Sequence, residues 1–409
     1  MLWLNYWCLV TGLKWDTKVK SCSPAKLEIV ENGKKKKISG YEVILAETIL
    51  FPEGGGQPDD RGTIDAVPVH RITRRAAEAV NFVENELPVG KDVHLIVDWD
   101  RRFDNMQQHS GQHLITALAD KMFGFKTTSW SLGDKISFIE LDTPEMTPAQ
   151  MATLEVSVNE KIREAVPVKV EVYDSASDPK LSEVRARGLP EDHVGAVRVI
   201  CFEGIDNNMC CGTHVSNLSQ LQIIKLMKIE KGKKNKTNLF YLTGNRVLKY
   251  LSRGYEAEKS LVAVFNSPLE QHAELAEKLI KTSKSSQKCI ASLLHDIASL
   301  EIRHFNSQEP KEPLFVLHRK EADMDFMNFL CREMSNQEVT LFLTGGDDKG
   351  SGLFMLVGKE DLVADVGPSV AKILDGKGAG KKGRFQGKAN KMANRDEAIK
   401  MIQEKLTSS

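Results

Sequence analysis

Two pairs of residues in this chain have types and spacing suited to one metal ion. His109 and His113 stand four apart in a stretch of helical pattern, so both imidazoles lie on one face and can address a single ion. In a chain with ten histidines that pair alone is a weak signal. Cys210 and His214 repeat the spacing in Met209-Cys210-Cys211-Gly212-Thr213-His214, after a strand and an Asp206-Asn207-Asn208 turn. One helix and one loop can then close a tetrahedral site. Three imidazoles and a thiolate suit zinc, with bonds of about 2.0–2.1 Å to nitrogen and about 2.3 Å to sulfur. A zinc peptidase places Glu directly after the first His as general base; Ser110 stands there, which disfavours that class. A nuclease or phosphodiesterase would want carboxylates beside the metal, and neither His109–His113 nor Cys210–His214 contains one. The remaining histidines, His70, His94, His193, His272, His295, His304 and His318, lack ligand spacing; His193 alone is worth watching.

A further motif lies upstream. Phe51-Pro52-Glu53-Gly54-Gly55-Gly56-Gln57-Pro58 follows the apolar run Thr48-Ile49-Leu50. Three consecutive glycines let backbone approach a ligand and leave amide N–H groups as donors, although a mobile turn would read the same way.

The elements that must position these residues make an α+β chain. Short β-branched runs at Tyr41 to Leu45, Val67 to Ile72 and Val93 to Val97, punctuated by Gly, Pro and Asp, predict a β-rich N-terminal subdomain over residues 1–100 that carries the Gly-rich loop. From Phe103 to Met122 apolar residues recur every three or four positions until Gly124, which predicts the helix bearing His109 and His113. Thr147-Pro148-Ala149-Gln150 reads as a capping box opening a second helix to about Ala165. Strands at Ile136 to Leu141, Val168 to Val172, Ala196 to Phe202, Leu221 to Ile229 and Leu239 to Thr243 complete an α+β, zinc-containing core over 101–244. The basic turn Lys231 to Lys236 joins the last two. Residues 245–307 read as a helical connector broken near Pro268. A small C-terminal α/β domain over 308–409 follows, with strands at Leu314 to Leu317, Val339 to Leu343 and Leu353 to Val357 and helices near Asp323 to Met334 and Pro368 to Leu374.

Acidic and basic residues balance at 56 each, so affinity for nucleic acid must come from local clusters. One such cluster is Lys377, Lys381, Lys382, Arg384, Lys388, Lys391 and Arg395, with no acid between Gly376 and Arg395; it reads as a phosphate-facing segment or as a solvated tail. Seven cysteines in no framework spacing point to a reducing, cytoplasmic setting. The apolar opening from Met1 to Val10 is too short to span a bilayer and lacks a preceding basic region, so neither membrane span nor signal peptide is expected.

The Glu53-Gly54-Gly55-Gly56-Gln57 loop, the His109/His113 pair and the Cys210/His214 pair, in this order and separation, resemble the editing domain of alanyl-tRNA synthetase and its freestanding AlaX relatives. The likeness runs from about Thr17 to Gly244 and resumes from Pro313, where Gly376 to Arg384 looks like the Gly-rich region of the synthetase C-terminal domain, giving the long AlaX type. The chain departs from the pattern in its Met1 to Trp7 start, in Lys381, Lys382 and Arg384 where the synthetase tends to carry a Pro-Asp pair, and at Thr127 to Gly133, which lacks the Gln often found there.

The resemblance implies a trans-editing hydrolase that deacylates tRNA(Ala) mischarged with serine, or glycine, using one Zn2+ held by His109, His113, Cys210 and His214. It implies that Gly54, Gly55, Gly56 and Gln57 hold the terminal adenosine or aminoacyl group and that Ser110 and Thr213 add small polar contacts; the local positive charge, not the resemblance, makes Lys377, Lys381, Lys382, Arg384 and Lys388 the expected tRNA contacts. Cys210 matches the family's Cys-x-x-x-His pattern, which leaves Cys211 a packing role. The alternative is a non-catalytic RNA-binding protein with a structural zinc.

Overall fold

The computed structural model describes residues 14–31, 34–76, 78–175, 178–185, 196–310 and 312–408. His193 and the Met1 to Val10 opening lie outside the described residues. The chain divides into two compact units, one ending at Lys259 and the other starting at Ser260.

The first unit begins with six strands, β1 (Lys14–Glu31), β2 (Lys34–Leu45), β3 (Gly62–Ile64), β4 (Val67–Arg75), β5 (Glu78–Val83) and β6 (Asp92–Val97), closed into a barrel in the order β1-β2-β5-β4-β3-β6. The β-rich subdomain expected from sequence is thus a barrel, whose closure removes the exposed edges an open sheet would carry. Val43, Ile64, Ile72, Val83 and Leu95 point into its core.

Helix α1 (Trp99–Phe123) starts where Asp98 accepts from the Arg101 N–H and ends at Gly124, left-handed at φ 71°. The Gly124 end is the one expected from sequence, whereas the start at Trp99 lies one turn before Phe103, where the apolar pattern begins. Strands β7 (Thr127–Ser131) and β8 (Ser137–Leu141) follow, then α2 (Pro148–Arg163), β9 (Val168–Tyr173), β10 (Val197–Phe202), β11 (Asp206–Met209), β12 (Ile224–Lys231) and β13 (Thr237–Thr243). The capping box at α2 is present, Thr147 and Gln150 each accepting from the other's backbone N–H. The sheets run β12-β13-β8-β7 and β11-β10-β9.

Helix α1 is buried on nearly all sides despite its polar sequence, and its glutamines are what make that tolerable. Gln107 donates to the Gln220 carbonyl and accepts from the Asn245 N–H; Gln108 does the same with the Thr243 carbonyl and N–H. Mid-helix Gly111 costs about 1 kcal/mol against alanine, but a Cβ there would lie 2.5 Å from Thr243 Oγ1. The glycine lets α1 sit directly on the end of β13.

Helix α3 (Asn245–Phe265) begins in this unit, where Arg246 is bound by Asp104 of α1 at 2.7–3.0 Å. The break foreseen at Pro268 is real: a short 3-10 turn, Leu269–Gln271, leads into α4 (His272–Asn306). In the second unit, Ala298 and Phe305 of α4 join a core with Phe326 and Leu330 of α5 (Met324–Glu333). The sheet is β14 (Leu314–Arg319), β15 (Thr340–Gly346), β16 (Gly352–Val357), β17 (Lys377–Lys381) and β18 (Arg384–Ala389), ordered β14-β15-β16-β18-β17, with α6 (Glu360–Ile373) and α7 (Arg395–Thr407). Pro368, read from sequence as a helix start, lies inside α6, which begins two turns earlier. The basic, glycine-rich segment is an ordered edge hairpin followed by a helix, so the tail reading does not hold.

Candidate metal centre

His109 and His113 project from α1, one turn apart as their spacing requires. Cys210 follows β11, and His214 closes the loop after it. Each residue offers a donor atom, and the four atoms lie within 4.8 Å of one another. Cys210 Sγ is 3.4 Å from Nε2 of both His109 and His214. Tetrahedral bonds of about 2.05 and 2.3 Å would separate nitrogen from sulfur by about 3.5 Å, so these two donor pairs already stand at zinc-like spacing. The cluster includes Cys210 and not Cys211.

The imidazoles are held from behind. Gln57, brought in by the Gly-rich loop, accepts through Oε1 from both His109 Nδ1 and the Thr213 N–H at 2.9 Å, and donates through Nε2 to Thr213 Oγ1 at 2.8 Å. An amide oxygen can only accept, so His109 carries its proton on Nδ1 and turns the Nε2 lone pair toward Cys210. Ser110 Oγ accepts from the Val215 N–H and meets His214 Nδ1, both at 3.1 Å. Gln57, Ser110 and Thr213, which the resemblance casts as substrate contacts, are thus placed in the support of the donors. Such partners fix ring orientation and tautomer at metal sites. His113 stacks on Phe202 at 6.0 Å between centroids.

Burial dominates the electrostatics. His109, His113 and His214 are 0, 5 and 3 % exposed. The His214 pKa is driven well below the usual histidine value, first by burial and then by His109, His113 and Arg198. That keeps the ring neutral, as a ligand must be. Arg198, also buried, is pushed down to about 9 by burial, opposed by the Cys210 and Cys211 thiols. Its guanidinium donates to the carbonyls of Cys210 and Gly212 at 3.2 and 2.5 Å, tying down the loop that carries the thiol. Burial likewise raises the Cys211 thiol.

The glycines are explained by close neighbours. A Cβ on Gly212 would lie 2.2 Å from His109 Cε1. At Gly56, φ +79°, it would meet the Trp130 ring at 2.6 Å, and at Gly55, φ +57°, Cys211 Sγ at 3.1 Å. The Gly54 N–H is not open to a ligand, because it donates to the Gln57 carbonyl at 3.1 Å. The whole loop is clamped to α1: buried Asp60 binds Arg102 Nε at 2.9 Å and the Phe51 N–H at 2.7 Å. Asp59 takes the Ile72 N–H at 2.7 Å.

Sequence reasoning missed Trp130, Arg198 and the Asp60–Arg102 pair. The doubled charges Asp59-Asp60 and Arg101-Arg102 were a faint signal; nothing in the sequence marked Arg198.

In the second unit, the register of β17 and β18 pairs Lys377 with Lys388, Ala379 with Gln386 and Lys381 with Arg384, so these six share one face. Gly380 pairs with buried Phe385 on the other face. Lys377, Lys381 and Lys388 are exposed, Lys382 sits in the turn at φ 54°, and Arg384 is bonded to Gln386 and Asn328. Lys391 and Arg395 pair with Asp375 and Asp348.

Residues 197–240, which include Cys210 and His214, match the family model described as the threonyl and alanyl tRNA synthetase second additional domain, so the chain carries a segment of the aminoacyl-tRNA synthetase class. The full chain is 52% identical over 392 residues to the alanyl-tRNA editing protein Aarsd1 of Danio rerio, covering 96% of this chain and 95% of that one. It is 53% identical over 401 residues to Aarsd1-B of Xenopus laevis, covering 98 and 97%. The alanyl-tRNA editing protein AlaX-L of Pyrococcus horikoshii is 29% identical over 273 residues, 64% of this chain and 66% of that one. The chain belongs to the AlaX-type alanyl-tRNA editing protein family.

Proposed function

We propose that this protein is a zinc-dependent aminoacyl-tRNA deacylase that hydrolyses the ester joining serine, and also glycine, to tRNA(Ala) in the cytoplasm. The observation that carries the reading is the set of three buried histidines, His109, His113 and His214, with half-buried Cys210, backed by Gln57 and Ser110, in a chain whose relatives are named alanyl-tRNA editing proteins. The need for such an enzyme is physical: a pocket built for alanine rejects an added hydroxyl by only about a hundredfold, so a second site raises fidelity.

Bound zinc supplies Lewis acidity and stabilises developing negative charge on oxygen. The chain's own residues do the rest. Gln57 and Ser110 hold the two imidazoles in their tautomers and orientations, Arg198 anchors the Cys210 to Gly212 backbone, and burial keeps bulk water from the donors. Gly55 and Gly56, exposed at the rim, lie where the terminal adenosine would enter. No carboxylate belongs to the donor cluster among the described residues, and the substrate's own ribose hydroxyl is the candidate for positioning the attacking water. The outward face of the β17–β18 hairpin, with Lys377, Lys381, Lys382, Arg384 and Lys388, binds tRNA phosphates. In this reading residues 1–100 are the β-rich subdomain that carries the Gly-rich loop, 101–244 the editing core, 245–307 the connector and 308–409 the tRNA-binding part. Six free cysteines among the described residues accord with a reducing compartment, and no helix there is long and apolar enough to cross a membrane.

A closed set of four protein donors also favours a second reading, a structural zinc in a non-catalytic RNA-binding protein. Deacylation of Ser-, Gly- and Ala-tRNA(Ala) by purified protein, with and without chelator, separates the two. Fast, chelator-sensitive loss of serine and glycine with alanine retained supports the enzyme; equal rates on all three, or none, overturn it.

A further inference from the structure

The three donor imidazoles are covered on most sides. Phe202 lies against His113 and His214, Ser110 backs His214, and Gln57 and Gly212 press on the Nδ1 and Cε1 edge of His109. The residues around the cluster that retain exposure include Cys210, Cys211, Thr213, Gly54, Gly55, Gly56 and Trp130. Trp130 stands over His109, their ring centroids 4.9 Å apart and tilted by 39°. Its six-membered edge fills the space beside Gly56, with Cη2, Cζ2 and Cζ3 at 2.6–2.9 Å from where a Cβ would stand.

Strand pairing fixes the indole in that place. Trp130 sits opposite fully buried Ile139 on β8, just beyond the bulge between Thr127 and Ser129. A tryptophan with two side-chain torsions, wedged between a glycine backbone and an imidazole, is a rigid wall rather than a mobile flap.

We infer that Trp130 is a specificity-determining residue that sets the upper size limit on the acyl group admitted to the donor cluster. The inference rests on the deacylase reading proposed above. A carbonyl brought to the donors passes the rim at Trp130, so the acyl side chain has to fit against the outer face of the indole, which is already packed on Gly56. Size alone does not separate alanine from serine, and the wall does not do that work. It protects correctly charged tRNAs that carry bulkier amino acids, since steric exclusion of an oversized group is the discrimination an apolar wall performs well.

The test uses the full-length protein and one tRNA(Ala) acylated by ribozyme with glycine, serine, valine or leucine. The wild-type chain hydrolyses serine and glycine esters and spares valine and leucine. Trp130→Ala raises the leucine-to-serine rate ratio by about tenfold or more, and Trp130→Phe moves it part of the way, because one or two methylenes of fit carry that much selectivity. Metal content by elemental analysis and the relative affinity for leucyl and seryl amide analogues of the terminal adenosine are read alongside. The affinity ratio must shift toward leucine with the rate ratio. A Trp130→Ala protein that keeps its metal and leaves both ratios unchanged overturns the proposal. If Trp130→Ala fails to fold or loses metal, an unchanged affinity ratio in Trp130→Phe and Trp130→Leu overturns it equally. A wild-type chain inert on serine and glycine overturns the deacylase reading itself, visible before any variant is compared.

Discussion

At Gly55 and Gly56 the backbone turns with positive φ, and the space their missing side chains leave is taken by Cys211 and Trp130 from other parts of the first unit. Along Gly376 to Gly387 the same residue type serves a hairpin: at Gly378 a Cβ would strike Phe385 at 2.5 Å and the Gln386 carbonyl at 2.9 Å. The first set of glycines brings distant side chains together around a buried donor cluster. The second flattens one face of an edge hairpin onto its own core, so that the lysines of the other face stand out in solvent. Glycine-rich sequence thus marks close approach in both places, and only the neighbour that approaches tells a chemical site from a binding surface.

If the first region is a metal centre built on long-range contacts, single changes there should have large effects. Cys210→Ala is expected to lose both metal and deacylation, while Cys211→Ala keeps roughly one zinc per chain, because a ligand couples metal affinity to local order and a packing thiol does not. Elemental analysis of the two proteins decides it; zinc kept without Cys210 and lost without Cys211 would reverse the assignment.

The clamp beneath the loop comes next. Asp60→Ala leaves the Arg102 guanidinium buried without its partner and should cost about 3–5 kcal/mol of stability. Denaturant midpoints measure this, and a loss below about 1 kcal/mol would mean that water reaches the pair. Gln57→Ala removes the acceptor of the His109 Nδ1–H while leaving every donor atom in place. Zinc affinity, followed by competition with a chelator, should weaken about 10- to 100-fold. Unchanged affinity would show the imidazole to be fixed by packing alone.

The hairpin should respond differently. Replacing Lys377, Lys381 and Lys388 by Gln alters exposed side chains on one face, so stability should move by no more than about 0.5 kcal/mol per site. Affinity for tRNA should fall, and the slope of log affinity against log salt should flatten by about 0.7–0.9 for each phosphate that is no longer neutralised. An unchanged slope would remove this face from the interface. Truncating after Asp375 is a poor substitute for these changes, because it deletes Phe385, Ala389, Met392, Ala398 and Ile402 from the core.

Much of the fold was legible because its elements are locally specified. Gly124 and the Thr147–Gln150 box bound their helices, Pro268 breaks the connector, and alternation marks most strands. Where local signals conflicted with tertiary demand they misled: Pro368 reads as a start yet sits inside α6, where packing of Val363, Val366 and Val370 sustains the helix. The lysine-rich end read equally well as a tail because Lys377 to Lys381 has no apolar residue but Ala379. Its pairing depends on β18, which supplies Phe385.

By itself the sequence determined the helix and strand types, the two donor pairs and the family, since helical periodicity, capping chemistry and ligand spacing are properties of neighbouring residues. The tertiary structure decided what stands behind and above the donors. Gln57 reaches Thr213 across 156 residues, Ser110 reaches His214 across 104 and Arg102 reaches Asp60 across 42. No local pattern encodes such contacts, because they exist only once burial has removed water from the polar groups and left each of them needing a partner.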